Sequence, residues 1–211
     1  MIKTKTIILI MIPAITMAAF ALFLGISQYE PIYEKTNNNK NALDFIPIFS
    51  EDLIIGRKNA AKTIITFEDF GCDSCQTQMQ IFNELTIKYP TEVKIILKTL
   101  DITAFPQSSA IIHSYAYCAN QQGKFIDFEK EFLKIENIDL DSIKNYASLV
   151  KLDIIELEKC LNADEQKQSK EKNAELARVL QIQSVPTTFI NNEAVQEPLT
   201  LDGWKSLLSI P

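Results

Sequence analysis

The stretch Phe67–Cys75 reads FEDFGCDSC, and its flanking residues predict the local structure around it. Residues 61–67 (AKTIITF) are β-branched and aromatic, which is typical of a buried strand. Gly71 interrupts this run, and a helical pattern follows over residues 73–89. Residues 93–100 (VKIILKTL) predict a second buried strand. The resulting strand–helix–strand crossover usually joins parallel strands, and it carries a Cys-x-x-Cys pair at the first turn of its helix.

Cys72 and Cys75 are the candidate reactive residues. A helix start offers free N–H groups and the positive end of the helix dipole, and both stabilise a thiolate at Cys72. We therefore expect Cys72 to be the nucleophile and Cys75 to be the buried thiol that resolves a mixed disulfide. A zinc site would need two more ligands, for which only Cys118, Cys160 and His113 remain, so we predict neither a metal nor a cofactor. A structural disulfide is the other alternative, and the strand–helix context favours redox chemistry over it.

The rest of the chain is mostly helical and returns to a strand pattern near its end. Asp141 and Asp153 are the expected N-caps of two of the helices. The Asn191-Asn192 pair predicts a tight hairpin turn. The predicted helices cover residues 108–120, 125–132, 141–150, 153–161, 164–180 and 201–210, and the predicted strands cover 186–190 and 194–195.

A second cysteine pair falls in the helical region. If the chain is exported, four cysteines favour a structural disulfide between Cys118 and Cys160, and two free buried thiols are the alternative. The single histidine, His113, stands two positions after Ile111. We expect it to point off the core face, as a helix-surface or domain-interface residue rather than a catalytic one.

Three segments resemble DsbA-like thiol–disulfide oxidoreductases of the thioredoxin superfamily. Residues 67–75 are similar to that family's active-site segment. Residues 118–125 (CANQQGKF) are similar to part of its helical insertion, and residues 184–191 (SVPTTFIN) to its cis-proline segment. The three motifs occur in the family's order, and the resemblance covers about residues 52–210.

The resemblance implies an α/β fold, in which a thioredoxin domain is interrupted by an all-helical subdomain over about residues 105–175. It also implies that Pro186 is a cis-proline packed beside the dithiol, and that Val185 presents its backbone to substrate. Without the resemblance, Pro186 would be interpreted as a strand-edge proline.

The chain departs from the family's pattern around the dithiol. Ser74 stands where strong oxidants often carry His, and Asp73 adds a negative charge beside Cys72. Like-charge repulsion disfavours the Cys72 thiolate, which predicts a weaker oxidant. Many thioredoxin-like proteins carry a buried acid six residues before the first cysteine. Thr66 occupies that position here, and Asp69 is the nearer match to some family members.

The N-terminus has the composition of a membrane-targeting segment. Lys3 and Lys5 precede an uncharged, apolar run over residues 6–27, which is long enough to span a bilayer. It is either a cleaved signal peptide or an anchor through residues 7–26 in the inner membrane. Both alternatives predict a cytoplasmic N-terminus and export of the remaining chain, so the protein would be periplasmic or otherwise extracytoplasmic.

These features divide the chain into a targeting segment (1–27), a polar tether (28–44) and a DsbA-like thioredoxin domain (45–210). The formal net charge of −6 argues against a nucleic-acid or anionic-membrane surface.

The leading hypothesis is an exported oxidase that introduces disulfides into reduced or misoxidised exported proteins. The resemblance implies that a quinone-linked membrane protein would reoxidise it. Two alternatives remain: a reductase or isomerase kept reduced by a membrane electron donor, and a non-catalytic, tethered thioredoxin-like binding module.

Overall fold

The structure is a computed structural model that describes residues 45–104, 108–134 and 139–210, together with Met17 and Phe20. Apart from these two residues, the predicted targeting segment and the tether lie outside the described residues. Within the described part of the chain, no helix is both long enough and apolar enough to cross a bilayer.

The described residues form one mixed sheet of five strands in the order β1-β3-β2-β4-β5. Strands β2 and β3 run parallel, and every other neighbouring pair is antiparallel. The predicted parallel crossover is therefore present. The strands are β1 (Leu53–Gly56), β2 (Lys62–Glu68), β3 (Val93–Thr99), β4 (Thr187–Ile190) and β5 (Glu193–Val195).

Seven helices within the described residues cover the sheet and fill the connection between β3 and β4. Helix α1 follows β2 directly, five helices stand between β3 and β4, and α7 ends the fold. They are α1 (Asp73–Lys88), α2 (Ala110–Gln121), α3 (Phe125–Phe132), α4 (Leu140–Leu149), α5 (Ile154–Leu161), α6 (Asp164–Val179) and α7 (Leu201–Leu207).

The two faces of the sheet are buried in different apolar clusters. Ile64 of β2 packs into a large cluster with α1 and the helical region, whereas Ile65 and Phe67 pack into a smaller one that includes Leu176 of α6. This alternation follows from the two-residue period of a strand. Because both faces are covered, all five residues from Ile64 to Glu68 of β2 are buried.

Local sequence signals explain several element boundaries. Asp153 caps α5 as expected, with its carboxylate 3.0 Å from the Glu156 amide nitrogen. The Asn191-Asn192 turn has positive φ angles of 53° and 66°, as the hairpin prediction requires. The cap expected at Asp141 is wrong, because Asp139 caps α4 by accepting from the Ser142 amide at 2.8 Å.

A disulfide joins Cys118 of α2 to Cys160 of α5. Cys118 is fully buried, and its partner lies 42 residues along the chain. The bridge therefore links two helices of the region between β3 and β4 that are separated along the chain by α3 and α4.

Candidate active site

Cys72 occupies the N-cap position of α1. Its backbone is extended (φ −99°, ψ 122°), and its sulfur accepts a hydrogen bond from the Cys75 amide at 3.4 Å. The Ser74 hydroxyl lies 3.0 Å from the same sulfur. A thiolate at Cys72 would therefore receive hydrogen bonds from the first turn of the helix, in addition to the favourable field of the helix dipole.

The two expected modulators that follow Cys72 are both exposed. Asp73 lies in the first turn of α1, where its charge suits the helix dipole but opposes a neighbouring thiolate. The hydroxyl of Ser74 is the group that directly contacts the Cys72 sulfur. The structure thus keeps Asp73 and Ser74 at the dithiol, where the sequence analysis predicted an effect on thiolate stability.

Gly71 allows the chain to turn tightly into α1. A Cβ atom at this position would lie 2.8 Å from Thr103 Cβ and 3.0 Å from Ser109 Cβ. Real Cβ atoms do not approach that closely without displacement of the backbone. The glycine therefore lets the loop before Cys72 pack against the segment that leads into α2.

The segment before β4 faces the dithiol. The Val185–Pro186 peptide bond is cis, and the Val185 carbonyl oxygen lies 3.9 Å from the Cys72 sulfur. A hydrogen bond within this loop stabilises its conformation, because the Thr187 hydroxyl donates to the Ser184 carbonyl at 2.6 Å. The structure therefore brings Cys72, Cys75, Val185 and Pro186 together, as the resemblance implied.

Cys75 is fully buried, whereas Cys72 is partly exposed, and both carry free thiols. Burial, followed by the charge of Glu68, raises the pKa of the Cys75 thiol well above its usual range. A group from solution can reach Cys72 but not Cys75. The division into an attacking Cys72 and a resolving Cys75 stays a prediction, and this difference in exposure favours it.

Glu68, the last residue of β2, is an acid that the sequence analysis did not single out. It is fully buried, and burial raises its pKa to about 8, although the hydrogen bond from Thr66 acts to lower it. Its Oε2 atom finds no hydrogen-bond partner among the described residues. The two-residue alternation of a strand could have predicted this burial, because Glu68 shares the α1-facing side of β2 with Thr66 and Ile64.

A chain of buried polar groups runs from α1 to Glu68. Gln78 Nε2 donates to the Thr188 hydroxyl at 2.9 Å, and the Thr188 and Thr66 hydroxyl oxygens are 2.9 Å apart. Thr66 Oγ1 in turn donates to Glu68 Oε1 at 2.9 Å. The chain therefore ends on Oε1 of Glu68, and Oε2 takes no part in it.

His113 is buried, so the expectation that it points off the core face is wrong. The buried face of α2 includes Ile112, His113 and Ala116, whereas Ile111 is only partly buried. The imidazole stacks on the Phe70 ring at 4.5 Å between centroids. Its Nε2 atom lies 3.0 Å from Asp69 Oδ1, which makes Nε2–H the donor because a carboxylate can only accept.

The geometry of the two cysteines defines the class of protein. A thiolate formed at Cys72 can attack a disulfide from solution, and Cys75 is placed to displace the product from the mixed disulfide that results. The fold and the dithiol together are those of a protein disulfide oxidoreductase of the thioredoxin type.

The chain belongs to the thioredoxin family: the family model described as "Thioredoxin" matches residues 50–209. Among curated proteins, "Probable disulfide bond formation protein D" of Bacillus anthracis is 21% identical over 173 residues, which cover 76% of this chain and 79% of that protein. These findings confirm the resemblance to DsbA-like oxidoreductases.

Solved structures support the fold assignment. The catalytic domain of Proteus mirabilis ScsC is 21% identical, with a TM-score of 0.67 over 78% of this chain and 90% of that chain. A periplasmic thioredoxin-like protein from Salmonella enterica serovar Typhimurium is 20% identical, with a TM-score of 0.64 over 78% of this chain and 91% of that chain. The predicted thioredoxin-like α/β fold is therefore confirmed.

Proposed function

We propose that this protein is an extracytoplasmic thiol–disulfide oxidoreductase that introduces disulfides into exported proteins through Cys72 and Cys75. The observation that carries the proposal is the position of Cys72, partly exposed at the start of α1 and 3.9 Å from the Val185 carbonyl oxygen. Thioredoxin-family membership and the similarity to a probable disulfide bond formation protein support it.

In the proposed cycle, the Cys72–Cys75 disulfide is the oxidant. A substrate thiolate attacks Cys72, because Cys75 is fully buried. The Cys72–Cys75 bond breaks, a bond between the substrate sulfur and Cys72 forms, and Cys75 leaves as a thiolate. A second substrate thiolate then attacks the substrate sulfur of this mixed disulfide, which forms the substrate disulfide and releases Cys72. Two electrons pass from the substrate to the cysteine pair.

Glu68 is the proton donor to Cys75 in this direction. The raised pKa of about 8 keeps its carboxyl protonated at neutral pH, and its Oε2 atom has no other partner among the described residues. A buried Cys75 thiolate would be costly, so a proton supplied as the thiolate leaves lowers the barrier. In the reverse direction the Glu68 carboxylate accepts the proton before Cys75 resolves a mixed disulfide.

Location and partners follow from the same proposal. The apolar run would place the domain on the outer side of the cytoplasmic membrane, with residues 7–26 as an anchor or residues 1–27 as a cleaved signal peptide. The substrates would be reduced or misoxidised exported proteins. Because the cycle leaves the pair reduced, a membrane thiol oxidase linked to quinones would accept its two electrons.

A reductase or isomerase is the second candidate, and Asp73 favours it. This exposed acid in the first turn of α1 opposes a Cys72 thiolate, which weakens an oxidant. The reduction potential separates the candidates, since a value near about −120 mV supports an oxidase and one near about −270 mV a reductase. A non-catalytic binding module would instead show no reaction of Cys72 with thiols or disulfides.

The test is an oxidation assay with the oxidised full-length chain in mild detergent and a reduced, unfolded protein as substrate. We expect disulfides to form in the substrate and the Cys72–Cys75 pair to become reduced in equal amount. Cys75→Ser and Cys72→Ser cannot form the Cys72–Cys75 disulfide, so both should fail to oxidise the substrate. With a disulfide-bonded substrate instead, Cys75→Ser should accumulate a mixed disulfide at Cys72, because Cys72 attacks and the resolving thiol is missing. Equal substrate oxidation by wild type and Cys72→Ser would refute the proposal.

A further inference from the structure

Asp69 is the centre of a hydrogen-bond cluster just before the dithiol. Its carboxylate is fully buried and accepts from backbone amides of two different segments. Oδ1 accepts from Gly71 N at 2.9 Å, and Oδ2 accepts from Ile102 N at 2.9 Å and Thr103 N at 2.6 Å. One side chain thereby joins the loop before Cys72 to the segment that follows β3.

His113, in α2, supplies a side-chain donor to this cluster from the helical region. Its Nε2–H lies 3.0 Å from Asp69 Oδ1, and its ring stacks on Phe70 within 16° of parallel. Burial alone would raise the pKa of Asp69, but the His113 hydrogen bond and the Gly71 amide hold it well below its usual range. The carboxylate is therefore charged at neutral pH, and His113 offsets part of that charge.

The cluster reaches both cysteines through the backbone. The Cys72 amide donates to the Asp69 carbonyl at 3.0 Å, and the Asp69 backbone acts to lower the pKa of the Cys75 thiol. Gly71, whose amide Asp69 holds, immediately precedes Cys72. A movement of the Asp69 side chain would therefore shift the start of α1 and the contact beneath Cys75.

We propose that His113 is a positioning residue for thiol–disulfide exchange, acting on Cys72 and Cys75 through Asp69. Its hydrogen bond holds the Asp69 carboxylate in place, and Asp69 in turn fixes the Gly71 amide in the loop that leads into Cys72. The inference rests on the proposed function in that Cys72 and Cys75 must exchange disulfides, but it applies to either direction of electron flow.

The direction of the effect follows from the geometry at the start of α1. Without the His113 donor, Asp69 holds the Gly71 amide less firmly, so the Cys75 amide that donates to the Cys72 sulfur at 3.4 Å is less well placed and the thiolate of the reduced protein is less stable. A less stable thiolate means a less stable reduced form, so the Cys72–Cys75 disulfide becomes a weaker oxidant. We expect the equilibrium constant for reduction by glutathione to fall about tenfold, since a hydrogen bond to a charged group is lost.

The experiment measures this equilibrium constant and the thiolate absorbance near pH 7 for the full-length chain and for His113→Phe, which keeps the ring stacking but removes the donor. His113→Asn, which is too short to reach Asp69, is a second variant in case the first does not fold. His113→Gln restores a donor near the Nε2 position, and we expect it to lie closer to wild type. Ile112→Ala is the matched control, because it removes a buried side chain from the same helix without touching Asp69.

A lower equilibrium constant and weaker thiolate absorbance in His113→Phe or His113→Asn, with Ile112→Ala unchanged, would support the proposal. It would be overturned if the folded His113 variants kept the wild-type equilibrium constant, or if Ile112→Ala changed it equally. A His113→Gln variant as impaired as His113→Phe would also count against it. A wild-type protein that does not equilibrate with glutathione would instead contradict the proposed function.

Discussion

Glu68 illustrates how a single residue can connect strand geometry to redox chemistry. It ends β2 on the side that faces α1, which places a carboxyl of raised pKa (about 8) beside Cys75. We expect Glu68→Gln to slow exchange about ten- to hundredfold, because the amide keeps the Thr66 hydrogen bond but cannot transfer the proton. Stopped-flow measurement of substrate oxidation checks the rate.

The pH dependence of the same reaction identifies the group. In the oxidising direction Glu68 acts as an acid. The part of the wild-type exchange rate that depends on its proton should therefore disappear as the pH rises through about 8. The exchange rate of the Glu68→Gln variant should not show this fall around pH 8. If its pH profile has the same shape as that of wild type, the titrating group is not Glu68.

The residues that sequence reasoning found and missed differ in a physical way. Cys72, Cys75 and Pro186 belong to contiguous motifs, so their positions could be predicted from spacing and resemblance. Glu68 and His113 act through contacts between separate elements. The link from His113 to Asp69 spans 44 residues of sequence, and it becomes visible only when α2 packs against the loop before α1.

At the scale of elements, the junction between β2 and α1 depends on close approach at Gly71. We expect Gly71→Ala to lower the free energy of unfolding by about 1–3 kcal/mol, because its Cβ would overlap Thr103 and Ser109. Exchange at Cys72 should also slow, since the turn that carries it must move. Urea unfolding and the oxidation assay measure the two effects separately.

Gly123 provides the control for this change. Its φ is +67° and nothing lies within 4 Å of an added Cβ, so Gly123→Ala costs about 1–2 kcal/mol through backbone strain alone. It lies at the end of α2, and we expect normal exchange. Slower exchange in both variants would mean that lost stability, rather than the local turn, controls the rate.

Element prediction succeeded where the local pattern was long. Helix α1 carries buried residues at helical spacing from Cys75 to Thr86, and β2 and β3 each contain at least four consecutive buried residues. Strand β1 was not predicted, because it has four residues and pairs only with β3 at the edge of the sheet. Such a short strand depends on a partner distant in sequence rather than on its own propensity.

At the scale of the whole molecule, the Cys118–Cys160 bridge constrains the unfolded chain. It closes a loop with a sequence separation of 42 residues, which the chain-entropy model relates to about 4 kcal/mol of stability. We expect the double variant Cys118→Ala/Cys160→Ala to have a free energy of unfolding, measured in urea, that is lower than that of wild type by this amount. Cys72 should still exchange disulfides in this variant. A loss below about 1 kcal/mol would mean that native packing, rather than the bridge, holds α2 and α5 together.

Two buried carboxyls predict how the stability of the folded domain depends on pH. Burial raises the pKa of both Glu68 and Glu129 to about 8, from the 4.5 of an exposed glutamate. Glu129 joins α3 to α1, since its Oε1 accepts from Asn83 Nδ2 at 2.9 Å. The folded state retains these protons up to about pH 8, whereas the unfolded state releases them near pH 4.5, so stability must fall as the pH rises through this window.

Each carboxyl contributes up to about 1.4 kcal/mol per pH unit to that slope. Asp69 does not contribute, because its pKa is lowered and its effect appears only at more acidic pH. We expect Glu129→Gln, which keeps an acceptor for Asn83, to remove about half of the slope in urea unfolding measured across the window. In the Glu68→Gln/Glu129→Gln double variant, the free energy of unfolding should change little with pH across this window. If the free energy of unfolding of Glu129→Gln changes with pH as steeply as that of wild type, the folded protein already holds Glu129 as a carboxylate. A cation would then have to face this carboxylate where α3 contacts α1.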